Sequence, residues 1–367
     1  MSEFYVYNSN RERIGLLQNV ESVQWLEMYQ SPGEVKIVAR ATPDNLEMLI
    51  DGNRIYRAGG DTCALISQVA IDDAETGTTI TARGRMTSEL LSTRVVMATE
   101  IIDNAEEGMY TLYGRNQRSL PIIVGGAEGY DEKTSTEITW GSVLEAVEKL
   151  AQLSGLGFKV VFNSDSGEET FKVYRGVDRS IGDSADYIGY FGTDMDNVQS
   201  ASIVSGSSNY KNVAVVAGAG EGADRVIRIV SLGHVTGENR RELYVDARDL
   251  QRNYQVATPT GDYDDNGNPI YEYENLTYTD AEYNALLDDR GREKLAEHLR
   301  DVSISCAVTQ TNIIYGRDYY LGDRVPVKLP EIGIYATARI SAATTIWERG
   351  GTRTTVTLND IRLMEVI

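Results

Sequence analysis

The chain has 367 residues, of which 41% are hydrophobic and 25% charged, and its formal net charge is −20 at pH 7. This length suffices for two to four compact units with a sizeable core, and the hydrophobic content excludes a disordered chain. The net negative charge argues against a nucleic-acid-binding protein, because phosphates need basic partners. It favours solubility, which by itself accounts for the charge, and it would also suit a surface past which a polyanion moves without binding.

Most of the predicted elements are β-strands, rich in Val, Ile, Thr and Tyr and separated by Gly, Asn and Asp. The 22 Tyr against 5 Phe favour half-exposed strands and interfaces over a deep aromatic core. The predicted strands are, in chain order, 4–9, 13–17, 22–30, 34–40, 62–72, 78–85, 212–218, 224–232, 242–247, 303–311, 323–329, 334–349 and 352–361.

Two helical segments precede the second group of strands. A short turn over residues 42–52 has Thr42 as its N-cap and Pro43 at the first helical position. The segment 138–157 repeats apolar residues at helical spacing and stops at Gly155. Its predicted apolar side consists of Val143, Leu144, Val147, Leu150 and Ala151.

A third helix is predicted over residues 278–301. Thr279, Asp280 and Glu282 open it with a capping box, and Gly291 weakens its middle, so a break is expected there. Its predicted apolar side consists of Leu286, Leu287, Leu295 and Leu299.

Cysteines and histidines set limits on the available chemistry. Cys63 and Cys306 lie far apart and in no metal-spaced cluster, which predicts two buried free thiols. His234 falls in a predicted turn and His298 late on the third helix, and neither has a recognisable nucleophile beside it. Zincin, nucleophile-elbow and zinc-finger spacings do not occur in the sequence. The sequence therefore predicts no catalytic, metal-binding or cofactor-binding residue.

The segment 262–274 has the oxygen spacing of a calcium loop. The first half of an EF-hand loop is matched by Asp262, Asp264, Asn266 and Gly267. Tyr273, between Glu272 and Glu274, stands at the position that needs a bidentate glutamate, and Pro269 interrupts the loop. The flanks are typical of strands, and Asn-Gly is typical of a tight turn. A hairpin is therefore favoured over a calcium site.

The segment 214–230 contains the loose spacing of a dinucleotide-binding motif, at Gly218, Gly220 and Ala223. That motif needs a helix after the glycines, because the pyrophosphate lies on the helix N-terminus. Here the glycines lead into a β-branched segment, so a hairpin turn is favoured over a phosphate-binding loop.

Several motifs follow one another in a characteristic order. The early ones are a strand with Trp25 and Tyr29, SPGEVKIVA, NLEMLI, ALISQVAIDDAETGTTITARGR, and LLSTRVV with Leu90, Leu91 and Arg94. The later ones are YKNVAVVAGAGEGADR and YYLGDRVPVKLPEIGIYATARISAATT, in which Arg339 and Ile340 lie on the second strand. In order and spacing they resemble the tail-hub (baseplate hub, or tail-associated) proteins of long-tailed bacteriophages, in the actinophage-type siphovirus tail protein branch.

The resemblance implies a mainly β fold with α/β insertions, in which two related β-barrel domains lie side by side with smaller mixed domains, as in the phage tail hub fold. The expected domains are a first β-barrel domain (1–97), a mixed α/β domain (98–200), a second β-barrel domain (201–250 and 302–367), and an insertion with a hairpin and a helix (251–301).

The resemblance also implies a function in the virion. Three copies are expected to form a hub ring that closes the distal end of the tail tube and joins it to the spike or fibre assembly, with no catalysis and no cofactor. The expected partners are a distal tail ring protein, the tape measure protein, spike or fibre proteins, and DNA that passes through an acidic lumen without specific binding. Because the sequence ends just after its last predicted strand, lytic or receptor-binding domains are expected on a separate chain.

The sequence also bears on localisation and on two alternative functions. The first 15 residues lack a signal-peptide core and no run approaches about 20 apolar residues, so assembly in the bacterial host cytoplasm without a membrane-spanning segment is expected. A β-rich cell-wall glycan hydrolase would need two carboxylates in a cleft. A carbohydrate- or receptor-binding module would cluster its tyrosines on one exposed face.

Overall fold

The computed structural model describes residues 2–75, 77–180, 186–263, 269–298, 301–310 and 312–363. The first part of the chain forms β1 (Phe4–Tyr7), β2 (Arg13–Leu16), β3 (Val20–Met28), β4 (Glu34–Arg40), α1 (Pro43–Met48), β5 (Arg54–Arg57), β6 (Cys63–Ala74) and β7 (Gly77–Met86). The middle forms β8 (Glu100–Asn104), α2 (Ala105–Asn116), β9 (Ile123–Val124), β10 (Lys133–Ile138), α3 (Val143–Ser154), β11 (Gly157–Phe162) and β12 (Glu169–Tyr174).

The last part of the chain returns to strands, with one further helix. It forms β13 (Val198–Gly206), β14 (Val213–Ala217), β15 (Ile227–Ser231), β16 (Glu242–Asp246), β17 (Asn253–Tyr263), β18 (Pro269–Thr277), α4 (Asp280–Ala296), β19 (Asp301–Val308), β20 (Arg324–Leu329), β21 (Ile334–Glu348) and β22 (Gly351–Leu363). The predicted mainly β fold with α/β insertions is confirmed.

One antiparallel sheet, here called the long sheet, runs through both β-rich parts of the chain. Its strand order is β13-β19-β22-β21-β3-β4-β7-β6-β5-β1-β2, and β20 pairs with β21. β3 and β21 join the two parts, since Trp25 pairs with Thr345 and Val23 with Trp347. The first and last parts of the chain are therefore one continuous hydrogen-bonded structure.

The core of the first part includes a residue from the last part. Alternate residues of β3 and β4, such as Trp25 and Ile37, are buried with Phe4 on one face of the long sheet. Trp347 of β21 packs edge-to-face on Phe4, with ring centroids 5.4 Å apart. Each such buried side chain contributes roughly 1.5–3 kcal/mol, so β21 stabilises the first core directly.

The central unit consists of β8–β12 with α2 and α3. Two small sheets, β10-β8 and β11-β12-β9, surround a core that includes Phe171, Met109 and Leu150. α3 ends where the sequence predicts, because Gly155 adopts a left-handed conformation (φ 76°) and its N–H reaches the carbonyl of Ala151.

The α4 unit consists of the sheet β15-β14-β16 and α4, which covers one face of that sheet. The capping box of Thr279 and Glu282 is confirmed. The expected break at Gly291 is wrong, because α4 continues through it. A Cβ at Gly291 would lie 2.7 Å from Val230 and 2.8 Å from Val216, so this glycine lets the helix approach the sheet closely. Leu287 and Leu295 are buried as predicted, and Leu299 lies outside the described residues.

β17 and β18 form a separate two-stranded antiparallel sheet, here called the arm. Thr258 pairs with Glu272 and Val256 with Glu274 along it. These strands confirm the hairpin over residues 253–277, while the turn at 264–268 lies outside the described residues. The expected domain boundaries stay a prediction.

Candidate functional site: a junction and a polar cleft

Tyr29 lies where the long sheet meets the central unit. It directly follows β3, is 1% exposed, and its backbone N–H donates to the carbonyl of Ser341 on β21. Its hydroxyl donates to the carbonyl of Gly155 (3.1 Å) and accepts the N–H of Gly176 (3.4 Å). Burial raises the pKa of this phenol, which therefore stays neutral and acts as a donor.

Two glycines leave room for the Tyr29 ring. A Cβ at Gly157 would lie 2.2 Å from the ring, and a Cβ at Gly322 would lie 2.3 Å from it. The Arg339 guanidinium lies 5.6 Å from the ring centroid and donates to the Gly322 carbonyl at 2.9 Å. Tyr29 is thus enclosed by the central unit on one side and by the β20–β21 region on the other.

Asp323 extends this junction with a buried carboxylate. It accepts the backbone N–H of Val177 at 2.8 Å and that of Tyr320 at 2.9 Å. It also pairs with Arg179 Nε at 2.5 Å, and both side chains are largely buried. These contacts attach the segment that follows β12 to the turn before β20.

The loop after β3 and the segment after β7 also contact the central unit. Gln30 donates to the carbonyl oxygens of Ala151 and Leu156, and Ser31 donates to Glu148 of α3 at 2.5 Å. In the segment after β7, Leu91 is fully buried in the central core, and Arg94 donates to the carbonyl of Gln117 at 2.9 Å.

An ion pair reinforces the same boundary from β5. Arg54 and Glu169 of β12 form two parallel hydrogen bonds of 2.9 and 3.0 Å, and their side chains are 7% and 0% exposed. A bidentate pair of this kind fixes orientation as well as distance, so it holds β5 of the long sheet in a defined position against β12 of the central unit.

Beside the junction, a polar cleft of about 370 Å³ opens between β3, β11 and the segment before β20. Its ionisable and phenolic lining consists of Glu27, Arg57, Asp61, Lys159, Tyr174, Tyr315 and Tyr320. Tyr315 donates to Glu27 at 3.2 Å, while Asp61 forms an ion pair with Lys159.

Burial dominates the electrostatics of this cleft. It raises the pKa of Glu27, and it raises the pKa of both Tyr174 and Tyr315 well above their usual range. Asp61, by contrast, forms an ion pair with Lys159. Two carboxyl groups in different surroundings are the arrangement that acid–base catalysis uses, and a carboxyl hydrogen-bonded to Tyr315 also suits close packing at the junction.

The other predicted positions do not form a site. Gly218 and Gly220 lie in the turn between β14 and β15, which pair antiparallel, so the hairpin is confirmed over the phosphate-binding loop. His234 is exposed in the loop after β15, and His298 contacts the Asn209 carbonyl.

Both cysteines are buried free thiols, as predicted. Burial raises the pKa of Cys63 well above its usual range and that of Cys306 to about 12. Among the residues that the structure describes, no three His, Cys, Asp or Glu side chains are grouped to hold a metal. In the same residues, no helix is both long and apolar enough to cross a membrane.

The junction uses residues that the sequence motifs already contain. Tyr29, Leu91, Arg94, Gly322 and Arg339 all belong to motifs that carry the tail-hub resemblance. The contacts that these residues make were missed because local patterns carry no information on which distant segments meet. The partner residues in the central unit, such as Gly157 and Gly176, gave no signal beyond being glycines.

Comparison with known proteins supports one family. The family described as Siphovirus ReqiPepy6 Gp37-like protein matches residues 3–358. No protein with a curated description matches the chain.

Three solved structures share the fold over nearly the whole chain. A tail protein from Neisseria meningitidis MC58 has a TM-score of 0.60 at 14% identity, covering 98% of this chain and 96% of its own. The prophage MuSo2 43 kDa tail protein from Shewanella oneidensis has a TM-score of 0.59 at 11% identity, with 97% and 98% covered. Prophage tail protein gp18 from Listeria monocytogenes EGD-e has a TM-score of 0.53 at 14% identity, with 98% and 94% covered.

Proposed function

The chain belongs to the Siphovirus ReqiPepy6 Gp37-like family and is a siphovirus tail protein, and from this premise we propose that three copies form the hub ring at the distal end of the tail tube. The ring joins the tube to the spike or fibre assembly. In this proposal its neighbours are a distal tail ring protein, the tape measure protein and the spike or fibre proteins.

The observation that carries this proposal is the continuous long sheet. It makes the two β-rich parts of the chain a single stiff body, since β3 and β21 pair over seven residues of each strand. Three chains with two such parts present six similar units, which suits contact with a tube of sixfold symmetry. The two parts are proposed to be the related β-barrel domains.

The net charge of −20 supports a passive channel for DNA. An acidic wall repels phosphates, so DNA passes through the ring without adhering. The test is charge reversal of the acidic residues that imaging places on the lumen. We expect slower ejection with a stronger salt dependence, and an unchanged rate and salt dependence would remove this role.

Imaging and native mass measurement test the ring itself. We expect the purified chain, alone or with its distal tail partner, to have the mass of three copies and to show a threefold ring in electron micrographs. A chain that stays monomeric with every tail partner present would contradict the hub function.

A glycan hydrolase is the second candidate, because the cleft holds Glu27 and Asp61 in unlike surroundings. We expect the protein to release no reducing sugar from bacterial cell walls. Hydrolysis that is present in the wild type and lost in both Glu27→Gln and Asp61→Asn, with folding intact, would move the function to this cleft.

A carbohydrate- or receptor-binding role would place tyrosines together on one exposed face. Tyr187, Tyr244, Tyr273 and Tyr320 are exposed. A glycan array tests this role, and we expect no binding.

A further inference from the structure

The arm carries an acidic strand. Residues 253–277 contain five Asp and Glu and no Lys or Arg. Glu272 and Glu274 of β18 are exposed on one face of the arm, and neither forms an ion pair with another described residue. Residues 255–259 of β17 border the central unit across a groove of about 420 Å³, which leaves β18 as the outer strand.

An isolated two-stranded arm is a costly feature unless it packs on something. Two strands alone are marginally stable in water, and an exposed edge invites pairing with other chains. Ile270 and Leu276, on the same face as the two glutamates, are 43% and 36% exposed. This face of the arm therefore combines two carboxylates with two apolar side chains.

The outer face of the long sheet carries a row of basic residues. Lys36 of β4 stands directly opposite Arg83 of β7. The same cross-strand row continues through Gln24 and Ile346 to Arg353 of β22. We call these five residues and their shared surface the cationic row.

The cations of this row are unpaired within the described residues. No described carboxylate forms an ion pair with Lys36, Arg83 or Arg353, whereas neighbouring Arg85 contacts both Glu34 and Glu89. Like charges directly opposite one another on a sheet are destabilising. In a chain with 55 acidic and 35 basic residues, such a row indicates a surface that an anionic partner covers.

We propose that the arm of one copy docks on the cationic row of a second copy, with Glu272 and Glu274 facing Lys36 and Arg83. Alternate residues of a strand are about 6.8 Å apart, and opposed residues of neighbouring strands about 5 Å apart, so flexible side chains bring the two pairs together. Ile270 and Leu276 flank the two glutamates, so one lies on the Gln24 side of Lys36 and the other on the Gln68 side of Arg83.

This contact rests on the proposed ring and specifies which surfaces of neighbouring copies meet within it. Charge complementarity of this kind mainly sets specificity and association rate, and salt screens it.

Charge swapping tests the contact in the full chain by sedimentation velocity at low and at physiological salt. We expect Glu272→Lys with Glu274→Lys to raise the dissociation constant of self-association about tenfold or more, and Lys36→Glu with Arg83→Glu to do the same. All four substitutions together should restore it to within about threefold. The matched control, Glu221→Lys with Glu238→Lys, makes the same change in net charge at exposed loop positions and should have no comparable effect.

Each outcome decides a different point. If the wild type forms a ring and the Glu272→Lys, Glu274→Lys variant associates as tightly, the arm contact is overturned and the hub function stands. The same holds if the chain with all four substitutions stays dissociated. A wild-type chain that stays monomeric even with every tail partner present overturns both. Disulfide cross-linking provides a second measurement. One copy carries Glu274→Cys and a second copy, lengthened by a tag, carries Arg83→Cys, and the two natural cysteines are buried. We expect a cross-linked product that contains one copy of each size, and its absence from an assembled ring would overturn the arm contact.

Discussion

Tyr29 connects three segments of the chain through one side chain. Its ring is enclosed by Gly157 and Gly322, and its hydroxyl bonds to the backbone on the central-unit side. The sequence identifies Tyr29 and Gly322 as members of motifs, because both stand beside recognisable strands and turns. It cannot predict that they touch, since that contact depends on how distant strands pair.

Gly322→Ala should destabilise the protein by about 2–3 kcal/mol, because the added Cβ would lie 2.3 Å from the Tyr29 ring. The measurement is the midpoint of urea unfolding. The control is Gly316→Ala, which shares a positive φ (82° against 87°) but has no atom within 4 Å of the added Cβ. Equal losses at both positions would show that backbone strain, and not the close approach to Tyr29, sets the cost.

Glu27 should make stability depend on pH. Burial raises its pKa above the ordinary value of 4.5, so the folded protein holds this proton more tightly than the unfolded chain. Below pH 4.5 the carboxyl is protonated in both the folded and the unfolded chain, so it does not lower the free energy of unfolding. As the pH rises from 4.5 to the raised pKa, the unfolded chain ionises more readily and the free energy of unfolding falls. Glu27→Gln should therefore be more stable than the wild type at pH 8 and equal to it at pH 4.

Thermal unfolding between pH 4 and pH 8 measures this difference. Glu238→Gln, at an exposed position, is the control and should follow the wild type throughout. If Glu27→Gln is stabilised relative to the wild type by the same amount at pH 4 and at pH 8, the pKa of Glu27 is not raised by folding.

Among the elements, those with strong local signals were predicted and those that depend on packing were missed. Most strands of the long sheet follow from alternation, and the C-terminal cap of α3 and the capping box of α4 follow from their residues. β5 and β13 of the same sheet were not predicted. α2 was missed because Gly108 and Gly114 interrupt its helical pattern. Gly108 is needed there because a Cβ would lie 2.4 Å from Ile102, which is a tertiary constraint without a local trace.

Gly291→Ala in α4 should destabilise the protein, although helix propensity alone predicts a gain of about 1 kcal/mol. The added Cβ would lie within 2.8 Å of both Val216 and Val230, so the helix would have to move away from its sheet. Chemical denaturation measures the change. Ala285→Gly, at an exposed position on the same helix, should cost about 1 kcal/mol and calibrates the propensity effect. A stabilised Gly291→Ala protein would contradict the close approach.

At the scale of the whole molecule, the long sheet and the central unit are held together by buried polar contacts as well as by packing. Composition and the tail-hub resemblance predicted the mainly β fold, and the match over residues 3–358 agrees with it. The pairing of β3 with β21 could not be predicted, because nothing in either strand specifies a partner so remote in sequence.

Removing one member of the Arg54–Glu169 pair should cost about 3–5 kcal/mol, since it leaves the other charge buried and alone. Glu169→Leu and Arg54→Met should each show this loss in urea unfolding, and the double variant should recover most of it. Glu297→Gln, which breaks the exposed pair with Lys294, should change stability by less than about 1 kcal/mol. Additive losses in the double variant would show that the two charges do not depend on each other.

The position of Trp347 has a consequence for biosynthesis. The core around Phe4 and Trp25 lacks this side chain until β21 has left the ribosome. Until then β3 pairs with β4 on one edge and has no neighbour on the other. At roughly 5–20 residues per second, that interval is on the order of tens of seconds. During it the nascent chain displays an apolar surface and an open strand edge, so the first part of this protein is among the last to become native.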